Sequence, residues 1–306
     1  MTVDADPTDP TTSLPHPVHV DLDGVSVATY ALTPEGDEVH GDLVLCHGTP
    51  WSARVWAQVA HSLRRGYRVH LWDMPGYGRS AQGADVPVDL ATQMERFAAL
   101  LELRELQRPH VVAHDIGGAV ALGAHLLHGR EFASLMLWDV VTLDPWGSPF
   151  FRLVAEHADV FAALPPALHG ALVREYIAGA AHRPLSSAQL EMLVEPWVTG
   201  EGKPVFFRQI AALNPEHTRP LVRELGETRC PVAIGWGEQD PWVPVDQAGR
   251  LQRLLPGDPT LVLLPGVGHL APLEAPDEVL AAVETWLGRS DPAIVNQRVD
   301  DASGRE

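Results

Sequence analysis

The feature that most restricts the fold of this chain is a repeated order. A short run of β-branched and large apolar residues comes first, then a turn, then a stretch with apolar residues at three- and four-residue spacing. "VSVATYAL" (25–32), "DLVLCH" (42–47), "YRVHLWD" (67–73), "HVVAH" (110–114), "ASLMLWDVV" (133–141), "PVAIGWG" (231–237) and "TLVLLPG" (260–266) read as strands. "ARVWAQVAHSLRR", "VDLATQMERFAALLELREL", "GGAVALGAHLLHG" and "APDEVLAAVETWLGR" read as helices. Strand and helix in alternation predict an α/β fold, a mostly parallel sheet with helices on both faces. The order breaks after Asp144, where prolines, aromatics and helix-like stretches run to about residue 225 without a buried strand. The spacing therefore predicts a core over 17–144 and 226–290 and a helical insertion over 145–225. The insertion should lie over the carboxyl ends of the strands, where open α/β sheets bind ligands. Residues 1–16 and 291–306 read as loose tails, because they are polar and rich in proline or charge.

Composition narrows the function classes. The 306 residues carry 40 acidic against 22 basic side chains, a formal net charge of −18. Neutralising phosphates needs a basic face, so neither a nucleic-acid partner nor an anionic membrane surface is expected. The start of the chain lacks the basic and apolar segments of a signal peptide, and no run has the length of a membrane span. Two cysteines without paired spacing suit a reducing, cytoplasmic setting. Oligomeric state is not legible.

The chemistry gathers at strand ends. "VVAHDIGGAVAL" (111–122) places Asp115 between a strand and an apolar helix, flanked by the small residues Ala113 and Gly117. A tight strand-turn-helix of this kind projects its central side chain above the sheet at a helix N-terminus, where a negative charge is favoured. A helix-capping aspartate is the plainer reading, and its loss then costs about 1 kcal/mol. "HGTP" (47–50) follows an earlier strand, and the N–H groups of Thr49 and Ile116 can point at one oxyanion. His47 reads as a structural part of that turn. "GWGEQDPWVP" sets Asp240 past a late strand, and "PGVGHLAPLEAP" sets His269 in a glycine-bearing loop past the last one.

With these motifs, residues 18–288 resemble an α/β-hydrolase, and within that fold the aspartate-nucleophile branch of epoxide hydrolases and haloalkane dehalogenases. The resemblance implies Asp115 as nucleophile, His269 as base and Asp240 as the acid orienting it. Asp139, at the end of "LMLWD", is the alternative acid, since some dehalogenases keep theirs there. The chemistry agrees. A carboxylate with a pKa of about 4 is ionised at neutral pH. It can attack a saturated carbon without first losing a proton, giving an alkyl ester that a base-activated water then hydrolyses. No metal or organic cofactor enters such a cycle. The expected partners are an apolar small molecule and water.

The chain also departs from the family. Ile116 stands where haloalkane dehalogenases carry a halide-binding tryptophan, Thr49 where they often carry asparagine, and the arginine of fluoroacetate dehalogenases is absent. Trp146 or Trp197 of the insertion remains as a halide donor. Epoxide hydrolases present two cap tyrosines, whereas Tyr176 is the only tyrosine of the insertion and Phe207, in "VFFRQ" (205–209), takes the second place. Tyr176, Trp146, Trp197, Phe207 and Trp51 are the expected substrate contacts. Donor chemistry favours an epoxide over a halide. Two further readings stay open: a ligand-binding protein without turnover, and a rearrangement or cyclisation enzyme using Asp115 as a general base.

Overall fold

The computed structural model describes residues 13–36, 38–200 and 202–290. The tails expected over 1–16 and 291–306 fall largely outside the described residues. Within the first of them, the Ser13 carbonyl accepts a hydrogen bond from His61 at 2.8 Å.

Eight strands form one sheet: β1 (Val18–Leu22), β2 (Val25–Leu32), β3 (Asp42–Cys46), β4 (Arg68–Trp72), β5 (His110–His114), β6 (Ser134–Trp138), β7 (Val232–Gly237) and β8 (Thr260–Leu264). Their spatial order is β1-β2-β4-β3-β5-β6-β7-β8. The β1–β2 and β2–β4 pairs are antiparallel and the others parallel. β5, β6 and β7 are buried along their whole length, which explains their unbroken apolar runs.

The core helices are α1 (Ala57–Leu63), α2 (Leu90–Leu103) and α3 (Ile116–Leu126) before the insertion. The insertion supplies α4 (Pro149–Ala162), α5 (Pro166–Ala178), α6 (Ser187–Val198) and α7 (Gly202–Ala212). After it come α8 (Arg219–Glu224), α9 (Asp246–Leu254), α10 (Ala271–Glu274) and α11 (Pro276–Ser290). Local signals set the helix starts: the Asp89 side chain accepts from the Thr92 N–H at 3.0 Å, and Ser186 and Gln189 close a capping box on α6.

Three details differ from the sequence reading. β1, whose residues are half exposed or exposed except Leu22, carries too few apolar residues to be read as a strand. The strand expected over 133–141 stops at Trp138 because Asp139 takes a positive φ of 45° that no strand accommodates. The insertion expected over 145–225 is formed by α4–α7, while α8 packs against core helix α3.

Parallel pairing puts the carboxyl ends of β3, β5, β6, β7 and β8 on one side of the sheet. His47–Thr49, Asp115, Asp139, Asp240 and His269 each follow one of those ends.

Candidate active site

Asp115 occupies the turn between β5 and α3 with φ 54° and ψ −128°. That strained backbone is held from both sides. Its N–H donates to the Trp138 carbonyl at 3.0 Å, and its carbonyl accepts from Gly118 and Val141 at 3.0 and 3.2 Å. Glycine at 48 and 117 is a steric requirement: a Cβ on Gly48 would overlap the Asp115 side chain, and one on Gly117 the His47 carbonyl. The Asp115 carboxylate makes no capping bond to its helix, so the capping role is not realised. Oδ2 instead accepts from the Thr49 N–H at 2.6 Å, and the Ile116 N–H also lies against the carboxylate. The expected pair of oxyanion donors thus meets the Asp115 carboxylate.

The other oxygen, Oδ1, lies 3.7 Å from His269 Nε2. His269 Nδ1 donates to Asp240 Oδ2 at 2.8 Å, which leaves Nε2 as a buried nitrogen without a hydrogen-bond partner. Asp240 is itself oriented by the Trp242 and Val243 N–H groups, at 2.7 and 2.9 Å on Oδ1. Asp115, His269 and Asp240 are therefore in line.

Asp139 is placed differently. Its Oδ1 accepts from the Gly237 N–H at 2.8 Å and its Oδ2 has no partner. Burial, then the neighbouring Asp240 charge, pushes its pKa well above the usual carboxylate range. Asp240, which takes the His269 Nδ1–H, is the better placed of the two. Asp240→Asn is expected to lower turnover by about 10³- to 10⁴-fold, as loss of a base-orienting acid does. Asp139→Asn should change it by far less. Steady-state rates of the two variants check this, and a larger loss at Asp139 would reverse the assignment.

Burial raises the Asp115 pKa to about 6, against the lowering effect of His269 and the two N–H groups. For His269, burial acts downward but is outweighed by Asp240 and then by Asp115, and the pKa rises to about 9. At neutral pH the two groups form a buried ion pair.

A cavity of about 30 Å³ lies over Asp115. Val141, Trp146, Phe151, Leu213 and Trp242 supply apolar wall, and Thr49, Ser148 and Tyr176 polar groups. Among these lining residues there is no lysine or arginine. Tyr176 reaches in from α5, stacked on Trp242 with ring centroids 4.6 Å apart. Its hydroxyl is buried without a partner, and burial, then the Asp115 charge, pushes its pKa well up.

Other expected contacts are placed otherwise. The Trp146 indole N–H is bound to Thr218 Oγ1 at 2.9 Å, although its ring lines the cavity. Trp197 donates to the Pro50 carbonyl at 2.9 Å. Neither indole N–H is free for a leaving group. Trp51, Trp197 and Phe207 are fully buried behind the cavity wall, where they pack as core; Trp51 stacks on Trp242 at 5.7 Å.

Several neighbours escaped the sequence reading. Trp242 packs on both His269 and Tyr176. Its place two residues after Asp240, in "DPW", was the available signal. Gln209 Oε1 accepts from Thr49 Oγ1 and the Tyr77 hydroxyl at 2.6 and 2.8 Å, fastening α7 to the turn beside Asp115. His114 Nε2 donates to the His269 carbonyl at 2.7 Å. Nothing local in the sequence distinguishes those two side chains from packing residues. His47 fixes its own turn as expected, donating through Nδ1 to the Gly48 carbonyl at 2.8 Å and accepting from the Met74 N–H at 2.9 Å.

This architecture and site define a class. The chain belongs to the alpha/beta hydrolase family, whose profile matches residues 43–282. A solved alpha/beta hydrolase fold protein from Burkholderia ambifaria is 38% identical, with 87% of this chain and 96% of that chain covered and a TM-score of 0.81. RutD of Caulobacter sp. (strain K31), named for carbamate hydrolysis, is 28% identical over 261 residues, 82% of this chain and 94% of its own. Haloalkane dehalogenase 2 of Mycobacterium bovis is 25% identical over 257 residues, 80% of this chain and 87% of its own. Among the described residues no helix is long and apolar enough to cross a membrane.

Proposed function

We propose that the protein hydrolyses a small, neutral, apolar epoxide through an alkyl ester on Asp115. The observation that carries the ester is the division of labour between the two Asp115 oxygens. Oδ2 is held by the Thr49 N–H, and Oδ1 stands free beside His269. Oδ1 attacks a ring carbon from the apolar cavity, and the carbon–oxygen bond of the ring breaks. Water then adds to Asp115 Cγ as His269 Nε2 takes its proton. The negative charge forms on Oδ2, where the Thr49 N–H already points with the Ile116 N–H beside the carboxylate, and collapse releases a diol. An aspartate nucleophile separates this reading from ester and carbamate hydrolysis. Attack by a carboxylate on an acyl carbon gives a mixed anhydride, which lies uphill.

The ionisation states fit a two-step cycle. Alkylation removes the Asp115 charge, one of the influences holding the His269 pKa near 9. The imidazole then loses its proton more readily and becomes a base when the ester forms. Apart from the His269–Asp115 pair the lining carries no charged side chain, which favours a neutral substrate.

Donor chemistry favours the epoxide. The Tyr176 hydroxyl is the unpartnered O–H lining the cavity, whereas both candidate indole N–H groups are bound elsewhere. An opening ring leaves a basic alkoxide that needs a proton, and a departing halide does not. Tyr176→Phe is expected to lower epoxide turnover by roughly 10²- to 10⁴-fold, the range of a positioned general acid. Unchanged epoxide turnover in this variant removes the epoxide reading. Halide displacement, the second reading, is favoured by the likeness to haloalkane dehalogenase 2 and should respond little to that substitution.

A further inference from the structure

His269 stands on a loop between β8 and α10, with no strand ladder to hold it in place. Its backbone is tied to the insertion. The His269 N–H donates to the Ala180 carbonyl at 2.9 Å, just past the end of α5. Arg183 Nε, in the α5–α6 connection, donates to the Gly266 carbonyl at 2.9 Å. The Glu274 carboxylate, at the end of α10, joins the two segments. It accepts from the N–H groups of Gly268 and Leu270, at 2.9 and 3.0 Å, on either side of the histidine. It also accepts from the N–H groups of His182 and Arg183, at 2.9 and 2.8 Å, in the insertion. Gly268 allows this close approach, since a Cβ there would overlap the His182 nitrogen and crowd the Ala180 oxygen at 2.9 Å.

We propose that Glu274 is a positioning residue for the base. One carboxylate fixes the histidine loop against the α5–α6 corner, so that Nε2 stays aimed at the Asp115 ester. Four N–H donors fill its two oxygens, and hydrogen bonds to an ionised acceptor are the stronger kind. Oε2 serves Gly268, His182 and Arg183, and Oε1 serves Leu270. Glutamine keeps one acceptor oxygen and turns an amide N–H₂ toward the remaining donor. Glu274→Gln therefore weakens the seam and Glu274→Ala removes it.

The consequence is specific to one step and rests on the alkyl-ester reading above. Alkylation does not use His269, but ester hydrolysis does. Single-turnover kinetics with intact-protein mass readout, using a small terminal epoxide, separate the two. Alkylation in Glu274→Gln should stay within about twofold of the parent. Hydrolysis should fall about tenfold in Glu274→Gln and about a hundredfold in Glu274→Ala, as a displacement near 1 Å would produce, and the adduct should accumulate. His269→Gln serves as the control for adduct formation. If that control accumulates ester and the Glu274 variants hydrolyse at the parent rate, or lose both steps equally, the positioning role is wrong.

If the control forms no ester with epoxides or with alkyl halides, the chemical reading fails instead. The positioning role is then decided by proton NMR of the His269 Nδ1–H, which reports the bond to Asp240 without turnover. It should shift and exchange faster in Glu274→Gln, and an unchanged resonance overturns the role. Glu274→Gln carries both arms should Glu274→Ala not fold.

Discussion

Asp115→Asn is expected to abolish turnover, by at least about 10⁴-fold, while the melting temperature stays level or rises. Both halves follow from the elbow. The carboxylate is the group proposed to attack, and an amide cannot replace it. Asparagine tolerates the positive φ of 54° at this position better than alanine does, so the backbone turn should persist. The carboxylate makes no capping bond, so the roughly 1 kcal/mol that a helix cap contributes is not lost. Burial raises the folded-state pKa to about 6, above the value of about 4 in an unfolded chain. Above pH 6 the folded protein therefore holds a charge less favourably than the unfolded chain does, and the substitution removes that penalty. Below about pH 4 both states are protonated and the difference vanishes. In the parent, the same raised value should make the alkylation rate fall as pH drops through about 6, because the attacking oxygen becomes protonated. Thermal melts and turnover at neutral pH check the variant. Retained activity would remove Asp115 from the mechanism, and a large drop in melting temperature would mean that it holds the turn.

His269→Gln is expected to lower steady-state turnover severely and to leave a stable covalent adduct on Asp115. Ester formation needs only the carboxylate. Ester hydrolysis needs a nitrogen that accepts a proton from water, and Gln cannot supply one. Intact-protein mass after mixing with small epoxides, and separately with alkyl halides, reads the adduct directly. An epoxide should add its whole mass, since no atom leaves, while a halide substrate adds only its alkyl group. The experiment thus distinguishes the two chemistries in one measurement. No adduct from either class would argue for a rearrangement with Asp115 as general base or for binding without turnover. In the parent, the hydrolysis step should titrate below the His269 value of about 9 in the free protein, because the esterified Asp115 no longer holds the proton. Proton NMR of the free protein and the pH profile of single-turnover hydrolysis give the two values.

Much of this was legible because its causes are local. A parallel strand buried on both faces must be apolar along its length, so β5, β6 and β7 announce themselves. A tight strand-turn-helix needs small residues around its centre, so Ala113 and Gly117 mark out Asp115 within five positions. Strand ends in an α/β sheet share one side, so Asp115, Asp139, Asp240 and His269, each past such an end, were expected on it, and the family resemblance ordered them into a site. β1 stayed hidden because a largely exposed edge strand needs few apolar residues. The donor roles of Trp146 and Trp197 were misjudged for a different reason. An indole N–H is available only if nothing else claims it, and its claimants, Thr218 and the Pro50 carbonyl, are distant in the chain.

The sequence by itself determined the fold class, the helical insertion and the residue types that can react, since these rest on periodicity, turn sterics and the chemistry of a carboxylate. The tertiary structure decided which carboxylate meets His269, which hydroxyl lines the cavity over Asp115 without a partner, and how the His269 loop is fixed to the insertion. Those are matters of orientation between segments far apart in the chain. Hydrogen bonds act over about 3 Å, and only the packed structure sets distances on that scale.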